Sequence, residues 1–159
     1  RWMTMISTKA PEVDIQQRFS NGFKNILLAV TKETAPKALD HVAALARPGV
    51  SRVMVLHLQE RLTYPNRSGV IVIETYQQAV EFAARAQAEL RELGVDAQVK
   101  VGRETSGRQA EQILLAAHDF GADIIIAGNR RKSGLETLLT GSTTRDLVRK
   151  SSIPLLLVS

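Results

Sequence analysis

The chain has 159 residues, enough for one domain of the usual ~100–150-residue size built around a single core. With 44% hydrophobic and 23% charged residues, no membrane-length apolar run and no cysteine, it is neither a disordered chain nor a membrane-spanning, disulfide-linked or thiolate-metal protein. The net charge of +5 gathers late: residues 128–159 hold Arg130, Arg131, Lys132, Arg145, Arg149 and Lys150 against Glu136 and Asp146.

These bounds lead us to expect a soluble protein of a reducing compartment, the cytoplasm. The opening RWMTMIS is too short and too polar for a secretory signal, so residues 1–22 are set apart as an N-terminal extension, in part an expression remnant, and the domain is placed at 23–159.

In chain order, NILLAV (25–30) is a short apolar run that reads as a strand. The segment after it carries Ala38, Leu39, Val42, Leu45 and Ala46 at helical spacing and is stopped by Pro48 and Gly49. RVMVLHL (52–58) is a second buried strand, followed by a polar loop over residues 59–71 with Pro65, Asn66 and Gly69. A long helix then places Ala79, Ala83, Ala86, Leu90 and Leu93 on one face and meets Gly94 just past its end. VDAQVKV (95–101) alternates apolar and polar residues, as an edge strand does, whereas the continuous runs suit strands covered on both faces. A helix on Ala110, Ile113, Leu114 and Ala117 ends at Gly121, DIIIAG supplies a fourth strand, STTRDLVRKS a short last helix capped by Ser142 or Thr143, and IPLLLVS a fifth strand.

Strands alternating with helices give an α/β fold: one doubly wound, Rossmann-like domain, a five-stranded parallel sheet with helices on both faces. In such a sheet a ligand sits beyond the carboxyl ends of the strands where the winding reverses, here between strand one (Ala29 to Thr31) and strand four (Ala127 to Asn129). Gly128 ends strand four, and Gly141, Ser142 and Thr143 open the last helix. Glycine admits close approach of backbone N–H groups and a helix N-terminus favours an anion, so the pattern points to a phosphate seat.

At this stretch the sequence resembles the universal stress proteins. Their signature, G-x-x-G, nine residues, then G-[ST], is matched in spacing by Gly128, position 131, Gly141 and Ser142, with Arg130 at a position often basic, and the similarity extends over GADIIIAG, SGLETLLTGS and IPLLLV. The resemblance implies strand order 3-2-1-4-5 and a cytoplasmic stress-response protein. It also implies a homodimer paired through the last strand, Pro154 to Val158. Some members of the family bind ATP, with Mg²⁺, or AMP in the crevice. Carried over, Gly128, Arg130, Gly141, Ser142 and Thr143 face phosphates and ribose, while the ends of strands one and two, Val30 and Leu58, flank the base.

Two positions depart from that pattern. Arg131 stands at the second motif glycine, where its bulk either fills the space of the phosphates or its guanidinium replaces the glycine as a direct phosphate ligand. Thr31 stands where nucleotide-binding members carry an aspartate; it can hydrogen-bond but brings no charge. Hence two expectations: a regulatory binding protein with ATP, AMP or another small anionic ligand, or a dimeric interaction module whose crevice binds no nucleotide.

Other motifs are missing. There is no G-x-x-x-x-G-K-[ST] loop and no G-x-G-x-x-G after strand one. No nucleophile or base is evident near the crevice, so no turnover enzyme is expected, at most slow ATP hydrolysis. His41, His57 and His118 lie on separate elements without metal-ligand spacing and read as ordinary surface or hydrogen-bonded histidines, so no metal site is expected. Aromatic residues make up 4%, which offers no stacking platform and argues against nucleic acid as the partner.

Overall fold

The computed structural model describes residues 22–59, 61–63, 70–72, 74–103, 107–128 and 142–158. Seven strands and four helices lie within them: β1 (Asn25–Val30), α1 (Ala35–Leu45), β2 (Arg52–Gln59), β3 (Arg61–Thr63), β4 (Val70–Val72), α2 (Tyr76–Glu92), β5 (Asp96–Arg103), α3 (Gln109–Phe120), β6 (Ile124–Gly128), α4 (Ser142–Lys150) and β7 (Leu155–Val158). Five of the strands form one parallel sheet in the order β5-β2-β1-β6-β7, which is the expected 3-2-1-4-5.

The alternation of side chains along β1 explains why both of its faces need a cover. Ile26, Leu28 and Val30 point to one side and pack with Ala38, Leu39 and Val42 of α1 and with Ala86 and Leu90 of α2. Leu27 and Ala29 point to the other and pack with Ala110, Ile113 and Ala117 of α3 and Leu147 of α4. β6 repeats the pattern, Ile124 and Ile126 against Ile125 and Ala127. A strand with both faces inside must be apolar at every position, and the run NILLAV is. At the edge, β5 has no such need, and its polar residues Asp96, Gln98 and Lys100 are exposed.

The helices begin and end on local signals, of which the expected Gly94 and Gly121 are two. Pro36 lies in the first turn of α1, where its missing N–H costs nothing. Thr75 and Gln78 form a reciprocal capping box at the start of α2. Gly94 and Gly121 follow α2 and α3 with φ of 77° and 66°, the left-handed turn that glycine makes without a Cβ clash. Three details differ from expectation. Leu93 is half exposed past the last turn of α2 and does not join its apolar face. Residues 61–63 and 70–72 pair as an antiparallel hairpin within what reads as a polar loop. Helix α4 already includes Ser142, so Ser142 and Thr143 belong to its first turn and do not precede it.

The amino ends of the sheet are tied by side chains. The Asp123 carboxylate accepts from Lys24 N–H (2.8 Å) and Asn25 N–H (3.2 Å), Asn25 Nδ2 donates to the Gly121 carbonyl (3.0 Å), and Arg52 donates to Asn25 Oδ1 (3.0 and 3.2 Å). β1, β2 and the start of β6 are thus held in register at one end, which leaves the carboxyl ends aligned for a site.

Ile126 is fully buried on the central pair of strands. Ile126→Ala is expected to lower unfolding free energy by about 2–5 kcal/mol, whereas Val148→Ala, half exposed on α4, should change it by no more than about 0.5 kcal/mol. Urea denaturation of both variants checks the contrast.

Candidate functional site

At the carboxyl end of β1 the winding of the sheet reverses: β2 lies on one side of β1 and β6 on the other. The turn into α1 begins here. The N–H groups of Thr34 (3.2 Å) and Ala35 (3.0 Å) donate to the Thr31 carbonyl. Thr34 occupies the N-cap position of α1 without capping it. Its hydroxyl turns back instead, accepting from Thr31 N–H at 3.3 Å and bonding Thr31 Oγ1 at 3.0 Å.

That reversal brings Thr34 onto Gly128 at the end of β6. A Cβ on Gly128 would fall 2.6 Å from Thr34 Cβ and 2.9 Å from its Cγ2, and closer still to its Oγ1. Gly128 is required here by space; its φ is not in the left-handed region. The buried Thr34 side chain therefore lies against the floor of the crevice between β1 and β6.

On the α1/α2 side of the same strand ends lies a buried ionic cluster. His57 on β2 is fully buried; its Nδ1 is 2.9 Å from the Val30 carbonyl and its Nε2 is 2.8 Å from Glu74 Oε2. A carbonyl only accepts, so Nδ1 carries a hydrogen and donates it. Nε2 and Oε2 form a second hydrogen bond, so both ring nitrogens are engaged in the interior. Lys32 Nζ lies 2.8 Å from Glu74 Oε1 and reaches the surface with about half its side chain exposed. Gln59 Nε2 donates to the Glu74 carbonyl (2.6 Å), and the Phe82 ring lies 4.6 Å from the imidazole. Residues from the β1–α1 turn, β2 and the approach to α2 thus meet in one cluster.

The residues singled out in the sequence distribute as follows. Val30 has its side chain in the core and its carbonyl on His57; Thr31 is half-buried and bonded to Thr34. Leu58 packs on the α3/α4 side, where it closes on Gly102 of β5. Ser142 is exposed and Thr143 half-buried in the first turn of α4. Arg130, Arg131 and Gly141 lie outside the described residues, as do most of the loop 59–71 and residues 1–21. Glu74, Lys32 and Thr34 escape the sequence reading. The signal for the first was His57 itself, an ionisable side chain in the middle of a buried run, which has to be paired. Among the described residues no cluster of three metal-binding side chains occurs, and no helix is long and apolar enough to cross a membrane.

The fold, the strand-order reversal and the glycine at the end of β6 define a doubly wound α/β protein with a crevice at its switch point. The Universal stress protein family matches residues 22–159, and the chain belongs to that family. Among its relatives are the universal stress protein YxiE of Bacillus subtilis, 25% identical over 149 residues covering 86% of this chain and 99% of that protein, and the universal stress protein MJ0577 of Methanocaldococcus jannaschii, 29% identical over 153 residues covering 86% and 94%. The solved structure of MJ0577 superposes with a TM-score of 0.66 over 85% of this chain and 94% of its own. Two further structures share the fold. One is a universal stress protein of Archaeoglobus fulgidus in complex with dAMP (TM-score 0.55, 19% identity, 86% and 98% covered), the other a universal stress protein in complex with cAMP (0.60, 15%, 86% and 97%).

The buried cluster gives a direct test. His57→Leu leaves the Glu74 carboxylate in the interior without its imidazole and should cost about 3–5 kcal/mol, whereas His57→Leu combined with Glu74→Leu removes both buried polar partners and should recover much of that loss. Chemical denaturation of the two single variants and the double reads the coupling; simple additivity would show that the two residues do not act as a pair.

Proposed function

We propose that this chain is a regulatory, stress-protective binding protein of the cytoplasm that takes a nucleotide, ATP with Mg²⁺ or AMP, in the crevice between β1 and β6. The observation that carries the reading is Gly128 at the end of β6, followed at the family's spacing by Gly141 and Ser142 at the opening of α4. Arg130, Arg131, Gly141, Ser142 and Thr143 serve the phosphates and ribose, and Val30, Thr31 and Leu58 flank the base. The first turn of α4 offers the positive end of a helix dipole to an anion. That structural neighbours carry dAMP and cAMP supports a nucleotide as the ligand. The protein works by binding; ATP hydrolysis, if any, is slow, because the described crevice side chains position a ligand and offer no nucleophile with an adjacent base.

A second reading has its own support. Thr34 lies on Gly128, and β7 is an edge strand whose Leu155, Leu156 and Leu157 are half-buried, an apolar edge that suits pairing with a second copy of the chain. In this reading the chain is a homodimeric interaction module, joined over Pro154 to Val158, and the crevice binds no nucleotide.

Calorimetric titration of ATP, with and without Mg²⁺, into the wild type and Arg131→Gly separates the two. The nucleotide reading expects wild-type binding that weakens by about tenfold in the glycine variant, as loss of a charged phosphate ligand does. Binding by the glycine variant alone would mean that Arg131 closes the pocket and would favour the second reading. Sedimentation at micromolar concentration is expected to show a dimer, and a monomer throughout that range would remove the pairing through β7.

A further inference from the structure

We propose that residues 11–21, the end of the extension that precedes the family domain, fold back as an amphipathic segment onto the amino end of the sheet and cover an apolar patch of Pro48, Val50 and Leu93. This goes beyond the nucleotide reading and stands whatever the crevice binds.

The patch is made by two neighbouring turns. Gly49, between α1 and β2, donates its N–H to the carbonyl of Gly94, between α2 and β5 (3.3 Å), and a Cβ on Gly94 would lie 3.3 Å from Pro48 Cβ. Val50 and Leu93, next to these two glycines, are 52% and 51% exposed. Surface turns favour polar residues and glycine, yet here two large aliphatic side chains stand in water beside a proline.

The place where the described chain begins identifies the cover. Gly22 lies at the same turn. A Cβ on it would be 3.1 Å from Arg47 Cδ, the Arg47 carbonyl accepts the Val50 and Ser51 N–H groups (3.0 and 2.8 Å), and Ser51 Oγ donates to the Phe23 carbonyl (2.5 Å). The residues ahead of Gly22 therefore join the fold beside Val50, at the end of the strands opposite the crevice. The other exposed large apolar residues are farther off, Tyr76 at the opposite end of α2 and Leu115 and Val148 on the helices of the other face.

The sequence of the segment suits the role. Pro11, Ile15 and Phe19 are four residues apart, the spacing of one helix face, and proline is favoured in a first turn. Gly22 holds φ at 63°, the left-handed conformation in which helices end. A helix this short is marginal in water on its own, so its apolar stripe needs a surface. Phe19 is three residues from Gly22, a reach of at most about 10 Å, and the surface within that reach is the one around Arg47 to Val50.

Tryptic cleavage of the full chain after Arg18 tests the docking from the domain side. The Arg18–Phe19 bond is expected to be cut about tenfold faster in Val50→Ser/Leu93→Ser than in the wild type, because a docked segment must be released before a protease can seat it. The Arg85–Ala86 bond inside α2 should be cut at an unchanged rate. Equal rates after Arg18 overturn the proposal. The chain has no cysteine, so paired cysteines report contact without background. Ile15→Cys with Leu93→Cys is expected to form an intrachain disulfide about tenfold faster than Gln17→Cys with Leu93→Cys, which has the shorter tether but the opposite helix face. Equal rates would mean a segment that is tethered and not docked, and a disulfide formed only between chains would mean that a second copy covers the patch; either result overturns the proposal.

Discussion

Strand β1 carries the constraint from which the rest follows. It is the central strand, flanked by β2 and β6, and it is buried on both faces, with Ile26, Leu28 and Val30 turned to α1 and α2 and Leu27 and Ala29 to α3 and α4. Two layers of helices must therefore be supplied from one chain, and right-handed crossovers supply them only if the chain winds outward from β1 and then returns to its other side. The return opens the crevice. The site at the end of β1 is a consequence of the way the core is covered, and it would be there whatever the crevice binds.

What occupies the strand ends is then decided by polar groups that cannot be left alone. Thr34 reaches Gly128 only because Gly128 has no side chain, and its hydroxyl binds the Thr31 N–H and hydroxyl in place of capping α1. His57 enters the core because both ring nitrogens find partners there, the Val30 carbonyl and Glu74. Removing one member from such an arrangement costs more than removing all of it, because the cost lies in the buried group left behind. Side-chain identity at this end of the sheet is accordingly coupled across three segments that are distant in sequence.

Much of this architecture is legible in the sequence, for reasons that differ by element. The runs NILLAV, RVMVLHL and DIIIAG announce strands covered on both sides, and the alternation in VDAQVKV announces the edge, because burial acts on each residue separately and leaves its period in the chain. Gly94 and Gly121 mark helix ends through a backbone conformation that other residues avoid. The pairing of residues 61–63 with 70–72 is less visible, since three-residue strands flanking Pro65, Asn66 and Gly69 leave too short a period to distinguish from a loop. The cluster is hidden for another reason. His57, Glu74 and Lys32 meet only through tertiary structure, and no spacing in the sequence predicts that a glutamate 17 residues after a histidine will hydrogen-bond it. The glycine motif resembles a phosphate seat because of spacing alone, and the Thr34 side chain lying on its first glycine is a contact that spacing does not contain.

The two halves of the crevice consequently differ in physical character. On the β1 and β2 side His57, Glu74, Val30, Thr31 and Thr34 answer one another over short distances, and the exposed Lys32 is held by a buried carboxylate. On the β6 and α4 side, Ser142 is exposed at a helix start, and the sequence between Gly128 and Ser142 contains three successive cations, Arg130 to Lys132. A charge-rich segment and a helix start attract an anion without specifying what is attached to it, since neither the dipole nor a guanidinium distinguishes one phosphate ester from another. A closed network excludes by contrast, since whatever displaces one of its bonds must replace it.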